Sequence, residues 1–227
     1  MLAAGCVCVR ALPCRDEARP DGGEVMGAVL ALHSSSDVLG VGVTWPAMAG
    51  PAKLRAFPLG RSLSNQLLSC IEQVLPAEQW PRLGRLAVAI GPGGFTSTRL
   101  TVVFARTLAQ QLQVPLDGVG SFLLVARRVG IQEPTWLVQE LARRGVVAGL
   151  YGPAPRGDSR AIVELAPPRL FGPGTPVPPG PQLAALAQLP EDVGQLLELS
   201  LEAQAQGLAA PWQPVLPLYP TSPVAGI

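Results

Sequence analysis

Hydrophobic residues become regularly spaced from Met26 onward, where two apolar runs are separated by a short polar turn. From Val25 the chain reads VMGAVLALHSSSDVLGVGVTW, with three serines and Asp37 between the runs. Apolar runs of this length on either side of a polar turn predict a hairpin of two strands. Residues 1–25 have no such spacing. We interpret them as a disordered extension or, in preference, as residues upstream of a true start at Met26.

Helical spacing follows in two segments of the first half. In SNQLLSCIEQVL one apolar stripe is formed by Leu67, Leu68, Ile71, Val74 and Leu75. The apolar run 86–90 predicts a buried strand, and the helix after it is apolar on two faces. One face comprises Leu100, Val103, Phe104, Leu108 and Leu112, and the other comprises Val102, Ala105 and Ala109. VPLDGV then predicts a strand, and SFLLVARRV predicts a helix with Ser121 as its N-cap.

The second half of the chain is richer in strands and in proline. TWLVQEL, GVVAGLYG and RAIVELA predict three strands, and the Pro- and Gly-rich segment 167–181 predicts a surface loop or linker. PEDVGQLLELSLEAQAQG predicts a helix that opens on Glu191 and Asp192. Strands that alternate with helices indicate an α/β fold. We divide it into an N-terminal lobe, 26–130, and a smaller, divergent lobe, 131–227.

The chain has few charges with which to cover its surface. Charged residues make up 15% of the sequence against a usual quarter, and hydrophobic residues make up 48%. We favour burial of part of the surface against another chain over a mere preference in composition. No apolar run approaches the roughly 20 residues of a membrane-spanning helix. The clustered Cys6, Cys8 and Cys14 argue against a disulfide framework, so we expect a cytoplasmic protein.

The types of residue present exclude several kinds of enzyme. His33 is the only histidine, so a zinc site built on a histidine pair is impossible and a Ser/His/Asp triad has one candidate base. We interpret His33 as a polar turn residue. Residues 26–130 contain nine basic residues and four acidic ones. No two of these carboxylates are paired in sequence in a way that would hold Mg²⁺. The basic excess suits an acidic partner, a nucleotide or RNA, or else reflects scattered solvated arginines.

A glycine-rich turn, GPGG, joins the strand at 86–90 to the helix. Backbone N–H groups at the start of a helix can bind an anion, and the candidate contacts are Gly91, Gly93, Gly94 and Thr96. Thr96 or Ser97 is the expected cap of the helix. The turn lacks the Gly-Lys-Ser/Thr of a P-loop and is not a dinucleotide fingerprint. On the residues alone, we favour a structural turn over a phosphate site.

The two helices of the first half also suggest an interface. If they lie side by side, their apolar and small residues form a surface suited to another subunit, although stripes at helical spacing are more often core. The candidate interface residues are Leu67, Leu68, Ile71, Leu75, Arg99, Val102, Val103, Arg106 and Ala109.

Four segments occur in the order and spacing of the TsaB (YeaZ-type) family, namely VLALHSSSDVLGVGV, LSNQLLSCIEQVL, AIGPGGFTSTRLTVVFARTLAQQLQVPLDGVGSFLLVA and ELARRGVVAGLY. The chain resembles that family well from Met26 to about Tyr151 and weakly beyond. The most specific match is the family's Gly-Pro-Gly-Ser-Phe-Thr-Gly-Leu-Arg motif, shared here at Gly91, Pro92, Gly93, Phe95, Thr96 and Arg99.

The resemblance implies an actin-like/sugar-kinase (ASKHA) α/β fold of two related lobes with mixed sheets and flanking helices. It implies a non-catalytic scaffold or dimerisation subunit in the formation of N6-threonylcarbamoyladenosine at position 37 of tRNA. The implied partners are a TsaD-type catalytic subunit bound through the N-terminal helices, a TsaE-type ATPase, and tRNA through the complex. The resemblance implies no intrinsic cofactor and no metal. It leaves open ATP or ADP shared at the complex interface, and a homodimer when TsaD is absent.

The chain departs from the family pattern at four places. His33 stands where the family has Asp, and Leu63 stands where it has a histidine. Ser97 and Thr98 replace Gly-Leu, and Leu141 replaces the Asp of an Asp-Ala-Arg stretch. We interpret the chain as a divergent, functional subunit rather than a decayed one. The competing hypothesis is an ATP-dependent enzyme of the actin-like/sugar-kinase class.

Overall fold

The computed structural model describes residues 27–48, 50–155 and 161–220. The predictions made for residues 1–25 and for a start at Met26 lie outside these ranges. Within them, the chain forms two β-sheets with helices packed on their faces.

The first sheet contains five strands: β1 (Ala28–His33), β2 (Val38–Thr44), β3 (Lys53–Pro58), β4 (Leu83–Ala89) and β5 (Leu116–Val119). Their order across the sheet is β3-β2-β1-β4-β5. β3, β2 and β1 pair antiparallel, whereas β1, β4 and β5 run parallel. The hairpin predicted around the serine turn is therefore confirmed, as is the buried strand that precedes the glycine turn.

The second sheet repeats most of this arrangement. Its strands are β6 (Thr135–Leu141), β7 (Gly145–Pro153), β8 (Ile162–Phe171) and β9 (Gln182–Ala184). The order β8-β7-β6-β9 corresponds to β3-β2-β1-β4 of the first sheet. In both sheets, three consecutive strands pair antiparallel, and the next strand along the chain pairs parallel with the first of the three. Two sheets of the same topology confirm the expectation of related lobes with mixed sheets, consistent with the actin-like fold.

β8 is longer than its sequence suggested. It continues through Pro167 and Pro168 to Phe171, whereas the segment 167–181 was predicted as a loop throughout. A proline cannot donate to a β-ladder, but an edge strand tolerates it because one side of the strand has no partner. β8 is an edge strand and its pairing with β7 shifts register near these prolines, which explains the difference.

The helices in the described residues lie on both faces of the first sheet. They are α1 (Leu63–Val74), α2 (Phe95–Leu112), α3 (Ser121–Val129) and α4 (Glu191–Ala205). α1 and α2 cover one face, against side chains such as Leu30 and Leu32. α4 covers the other face, against Val29 and Ala31, which alternate with them along β1. α3 lies between the sheets, because Leu124 joins the α4 side and Phe122 packs with the second sheet.

α2 buries a different face from the one its pattern first indicated. Its buried residues are Thr98, Thr101, Val102, Ala105, Leu108 and Ala109. Val103, predicted to share a face with Leu108, is 50% exposed. A helix that is apolar on nearly every side does not reveal from its spacing which side meets the sheet.

The last part of the chain returns to the first lobe. α4 packs on β1, β2 and β4, although it falls within the segment 131–227 that was predicted as the second lobe. The segment 208–220, here called the strap, then runs along the same lobe. Its carbonyl oxygens accept hydrogen bonds from Leu116 and Arg106, and Leu218 N–H donates to Ile90 at 2.7 Å. The strap thus passes from β5 to the glycine turn.

Lys53, the only lysine of the sequence, joins β3 to the end of α1. Its Nζ donates to the carbonyl oxygens of Gln73 and Val74 at 3.1 and 2.8 Å. The last carbonyls of a helix have no partner within it and carry partial negative charge, so a cation there is favourable.

A buried ion pair connects β4, β5, α4 and the strap. Arg85 donates from Nε and Nη2 to both carboxylate oxygens of Asp117 at 2.7 and 2.8 Å. Ser200 on α4 donates to the same carboxylate, and Arg85 Nη1 donates to the carbonyl of Leu208. Arg85 is 3% exposed, so its charge depends on these partners for compensation.

We expect Asp117→Asn to lower the free energy of unfolding by about 3 kcal/mol, because it leaves the Arg85 guanidinium buried without its counter-charge. Urea unfolding followed by circular dichroism measures the loss. Glu198→Gln, an exposed carboxylate on α4, is the control and should change stability by less than about 0.5 kcal/mol. A loss for Asp117→Asn no larger than that of the control would contradict the assignment.

Candidate functional site

The glycine turn lies where two parallel strands end side by side. β1 ends at His33 and leads into the serine turn, and β4 ends at Ala89 just before Gly91. The carboxyl ends of adjacent parallel strands are the usual place for ligand-binding loops in open α/β sheets. This edge of the first sheet is therefore the candidate functional site.

The glycine turn packs directly against the backbone of the serine turn. A Cβ atom on Gly93 would overlap the carbonyl oxygen of Ser35, so only glycine fits there. Gly94 N–H donates to that same carbonyl at 2.8 Å, and the carbonyl of Gly91 accepts from Ser121 N–H at 2.7 Å. The turn thus joins the ends of β1 and β4 to the start of α3.

These contacts limit what the turn offers to an anion. Of the predicted anion contacts, Gly91 is buried and the N–H of Gly94 is already bonded to Ser35, whereas Gly93 and Thr96 are exposed. α2 begins at Phe95 without a side-chain cap, so the predicted capping by Thr96 or Ser97 is wrong. The Ser97 hydroxyl instead donates to the carbonyl of Gly94 at 3.1 Å. Anion or nucleotide binding at this turn stays a prediction.

Hydroxyl groups connect the serine turn to α2. Ser34 Oγ and Thr101 Oγ1 are 2.5 Å apart, and both hydroxyls lie within 3.1 Å of the carbonyl oxygen of Ser97. Both side chains are buried. A buried polar group is costly unless it is hydrogen-bonded, and here neutral groups satisfy one another.

His33 is fully buried at the end of β1, not a polar turn residue as its neighbours suggested. Its Nδ1 lies 3.2 Å from Ser35 Oγ, which accepts a hydrogen bond from Ser121 Oγ at 2.8 Å. Burial lowers the pKa of His33 to about 4, so the ring is neutral at pH 7. Within the described residues its ring contacts no carboxylate, so the triad that His33 alone could have served is not assembled.

The donor set does not fit a metal ion. Across residues 27–48, 50–155 and 161–220, no three His, Cys, Asp or Glu side chains lie together. At the turn itself the groups are hydroxyls and a neutral imidazole, whereas Mg²⁺ prefers carboxylate oxygens. We derive no chemical step through a metal.

Two clefts flank Phe95. The first, of about 350 Å³, lies between the start of α2 and the start of α1 and is lined by Asp37 and Arg61 among others. The second, of about 320 Å³, lies between the glycine turn, the β6–β7 hairpin and the strap, where Glu140 and Arg144 line it. Phe95 contributes to both clefts.

Five of the nine predicted interface side chains lie in the core of the chain itself: Leu67, Ile71, Leu75, Val102 and Ala109, each at most 5% exposed. These five side chains therefore belong to the core, the alternative that helical spacing also allowed. In this conformation they cannot contact a partner directly. Leu68 and Val103 are 53% and 50% exposed. Arg99 is also exposed, and Arg106 is half-buried with Nη2 bound to the carbonyl of Gln213. Only this smaller set can contact a partner.

The structure brings together two aromatic residues that sequence reasoning missed. Phe95, the first residue of α2, stacks on Tyr219 of the strap with ring centroids 4.6 Å apart. The rings are 38% and 37% exposed. The sequence signal for Tyr219 was an aromatic residue in the otherwise aliphatic stretch LPLYP. Its partner Phe95 could not be predicted, because the two residues are 124 positions apart.

Comparisons with known proteins agree on one family of folds. Residues 59–149 match the family model described as TsaD: tRNA N6-adenosine threonylcarbamoyltransferase. A crystal structure of an uncharacterized Pseudomonas aeruginosa protein with similarity to peptidase YeaZ is 20% identical, with a TM-score of 0.69. That match covers 86% of this chain and all of the other. YeaZ from Pseudomonas aeruginosa is also 20% identical, with a TM-score of 0.66 over 85% of this chain and all of its own.

The resemblance to the TsaB (YeaZ-type) family is therefore confirmed in fold, and the family model supports a relation to tRNA-modifying proteins. No curated protein matches the sequence. Among the described residues, no helix has the length and apolar character needed to cross a membrane.

We expect Gly93→Ala to lower the free energy of unfolding by about 2 kcal/mol, because the added methyl group collides with the Ser35 backbone. Thermal and urea unfolding measure the loss. Gly172→Ala is the matched control, since its Cβ would meet no atom within 4 Å. Equal stabilities for the two variants would refute the close contact.

Acid should destabilise the protein through His33. Its pKa is 6.5 in the unfolded chain and about 4 in the folded one, so the unfolded chain takes up the proton first. The free energy of unfolding should begin to fall as the pH drops below 6.5. It should have lost roughly 3 kcal/mol from this residue by pH 4. Because the chain has one histidine, NMR titration of its ring signal measures the pKa directly. A midpoint of 6 or above would contradict the burial.

Proposed function

We propose that this chain is a TsaB-type subunit without catalytic activity of its own, which binds a TsaD-type catalytic subunit during formation of N6-threonylcarbamoyladenosine at position 37 of tRNA. The observation that carries the proposal is a pair of exposed apolar side chains, Leu68 on α1 and Val103 on α2, on two helices that pack side by side. We propose the cytoplasm as its compartment because the proposed substrate is tRNA.

The chemistry at the glycine turn favours an accessory role over a catalytic one. His33 is neutral, buried and hydrogen-bonded to Ser35, so it offers neither an accessible base nor a charged metal ligand. The Ser34 hydroxyl is engaged with the backbone of α2 and with Thr101, and the Ser35 hydroxyl is engaged with His33 and Ser121. A general base needs access to the proton that it removes, and these groups lack that access.

The surface of α1 and α2 supports an interaction with another protein. Leu68 and Val103 are each about half exposed on two helices that pack side by side on the first sheet. Removing apolar surface from water favours association. Arg99, one of the predicted interface residues, is exposed one turn before Val103 on α2.

Further members of the complex are proposed on the resemblance alone. These are a TsaE-type ATPase and tRNA, with ATP or ADP shared at the junction of the subunits. The first cleft is the proposed place for that nucleotide, because Arg61 and the exposed Thr96 line it at the start of α2.

The alternative of an ATP-dependent enzyme has weaker support. The amide of Gly94, which a phosphate loop would present to its ligand, is bonded to Ser35 instead. The alternative predicts ATP hydrolysis by the isolated chain in the presence of Mg²⁺, and absence of turnover would reject it.

We also propose that the chain forms a homodimer through the same helices when no TsaD-type subunit is present, since Leu68 and Val103 would otherwise remain in water. Sedimentation at micromolar concentrations tests this directly. A monomer at all concentrations would contradict it.

We expect Leu68→Asp and Val103→Asp each to weaken binding to the TsaD-type subunit of the same organism by at least about 30-fold, because a charge is buried in an apolar contact. Isothermal titration calorimetry and size-exclusion chromatography measure the complex. Leu186→Asp, at a residue that is 68% exposed in the second lobe, is the control and should bind as the unmodified chain does. Absence of any complex with the unmodified chain would reject the proposed function.

A further inference from the structure

Phe95 and Tyr219, here called the aromatic platform, are stacked at the surface instead of inside the core. Their rings are tilted by 36° with centroids 4.6 Å apart. Both residues remain more than one third exposed. An aromatic pair in water that is already stacked presents a further ring face on which another flat group can stack.

The backbone on both sides of the platform is held by the first sheet. Leu218, next to Tyr219, donates its N–H to the carbonyl of Ile90 at the end of β4. Gly94, next to Phe95, donates its N–H to Ser35. Because both attachments are in place before any ligand arrives, little backbone ordering is left to oppose binding.

Arginines surround the platform. Arg99 lies one helical turn after Phe95 and close enough to Tyr219 to affect its phenol. Burial raises the pKa of Tyr219, and the positive charge of Arg99 offsets part of that rise. Arg61 lines the cleft on one side of Phe95, and Arg144 lines the cleft on the other. Asp37 and Glu140 line the same two clefts, so the surroundings carry three positive and two negative side chains.

Exposed aromatic rings with flanking arginines are the elements with which proteins bind single-stranded nucleic acid. Every base has a flat face that stacks on an aromatic ring, while the arginines neutralise the phosphates on either side. Arginine suits this role because its planar guanidinium binds a phosphate through two hydrogen bonds. An apolar peptide would use the rings but would gain nothing from the arginines, whereas RNA uses both.

We infer that the aromatic platform binds an unpaired base of RNA, with Arg99 at a neighbouring phosphate. This inference rests on the proposed function, which brings RNA to the complex. It adds a direct contact by this chain, at a surface formed by the start of α2 and the strap rather than by α1.

The test uses the full chain and a single-stranded oligoribonucleotide of about twelve nucleotides that contains 2-aminopurine, within the usual size of such sites. Stacking on the platform should quench the 2-aminopurine fluorescence and give a saturable titration. The affinity should fall as salt is raised, since arginine–phosphate contacts release counterions. The same sequence annealed to its complement should bind more weakly, because its bases are already stacked.

We expect Phe95→Ala and Tyr219→Ala each to weaken RNA binding by about 5- to 100-fold, the range found when a base loses its aromatic partner. Tyr219→Phe keeps the ring and should retain binding, which separates stacking from loss of the hydroxyl. Leu186→Ala, at an exposed residue that lines neither cleft, is the matched control for removal of an exposed apolar side chain. Circular dichroism confirms that each variant is folded.

Three outcomes would overturn the inference. They are no fluorescence change at low salt, equal affinity for single and paired RNA, and alanine variants that bind RNA as tightly as the unmodified chain. If the alanine variants lose the TsaD-type subunit but not RNA, the platform is a protein contact and the inference is wrong. The test is separate from that of the proposed function. Leu68→Asp should disrupt the protein complex and leave RNA binding intact, so either result can fail alone.

Discussion

The contact between the glycine turn and the backbone of Ser35 is the constraint on which the first lobe depends. It requires a residue without a side chain at Gly93, and it brings the turns that follow β1 and β4 within hydrogen-bonding distance of each other. The position of α2 follows, because the helix begins one residue after Gly94. The exposed face of α2 and the place of Phe95 follow in turn. A single close approach of two turns thus determines where both proposed binding surfaces lie.

Much of the first lobe could be predicted from spacing alone, whereas its contacts could not. The hairpin, α1, α2 and α4 are all present where the pattern indicated them, since local periodicity reports on local structure. The sequence did not show that α4 covers the first sheet, because an apolar stripe does not identify its partner. The burial of His33 was missed for a similar reason: the Ser35 hydroxyl beside its ring is bound by Ser121, which is far away in sequence and close only in the fold. The glycine turn was correctly predicted as a corner, while the meeting of Phe95 with Tyr219 needed the structure.

The candidate site achieves rigidity without charge. Around the serine turn, hydroxyls, backbone groups and a neutral imidazole hydrogen-bond to one another. Charged groups lie elsewhere, for example in the Arg85–Asp117 pair that connects α4 to the sheet and in the arginines and carboxylates that line the two clefts. This division suits a protein that recognises other molecules at its surface.

The contact made by Lys53 has a practical consequence. Because it is the only lysine, reagents that acylate side-chain amines have one internal target, and that amine is engaged with the last carbonyls of α1. A protease specific for lysine likewise has one bond to cut, at the start of β3. The rate of acylation reports how often the Lys53 ammonium leaves the carbonyl oxygens of Gln73 and Val74. A single residue thus serves as a built-in reporter on the helix beside the proposed partner surface, and no engineered label is needed.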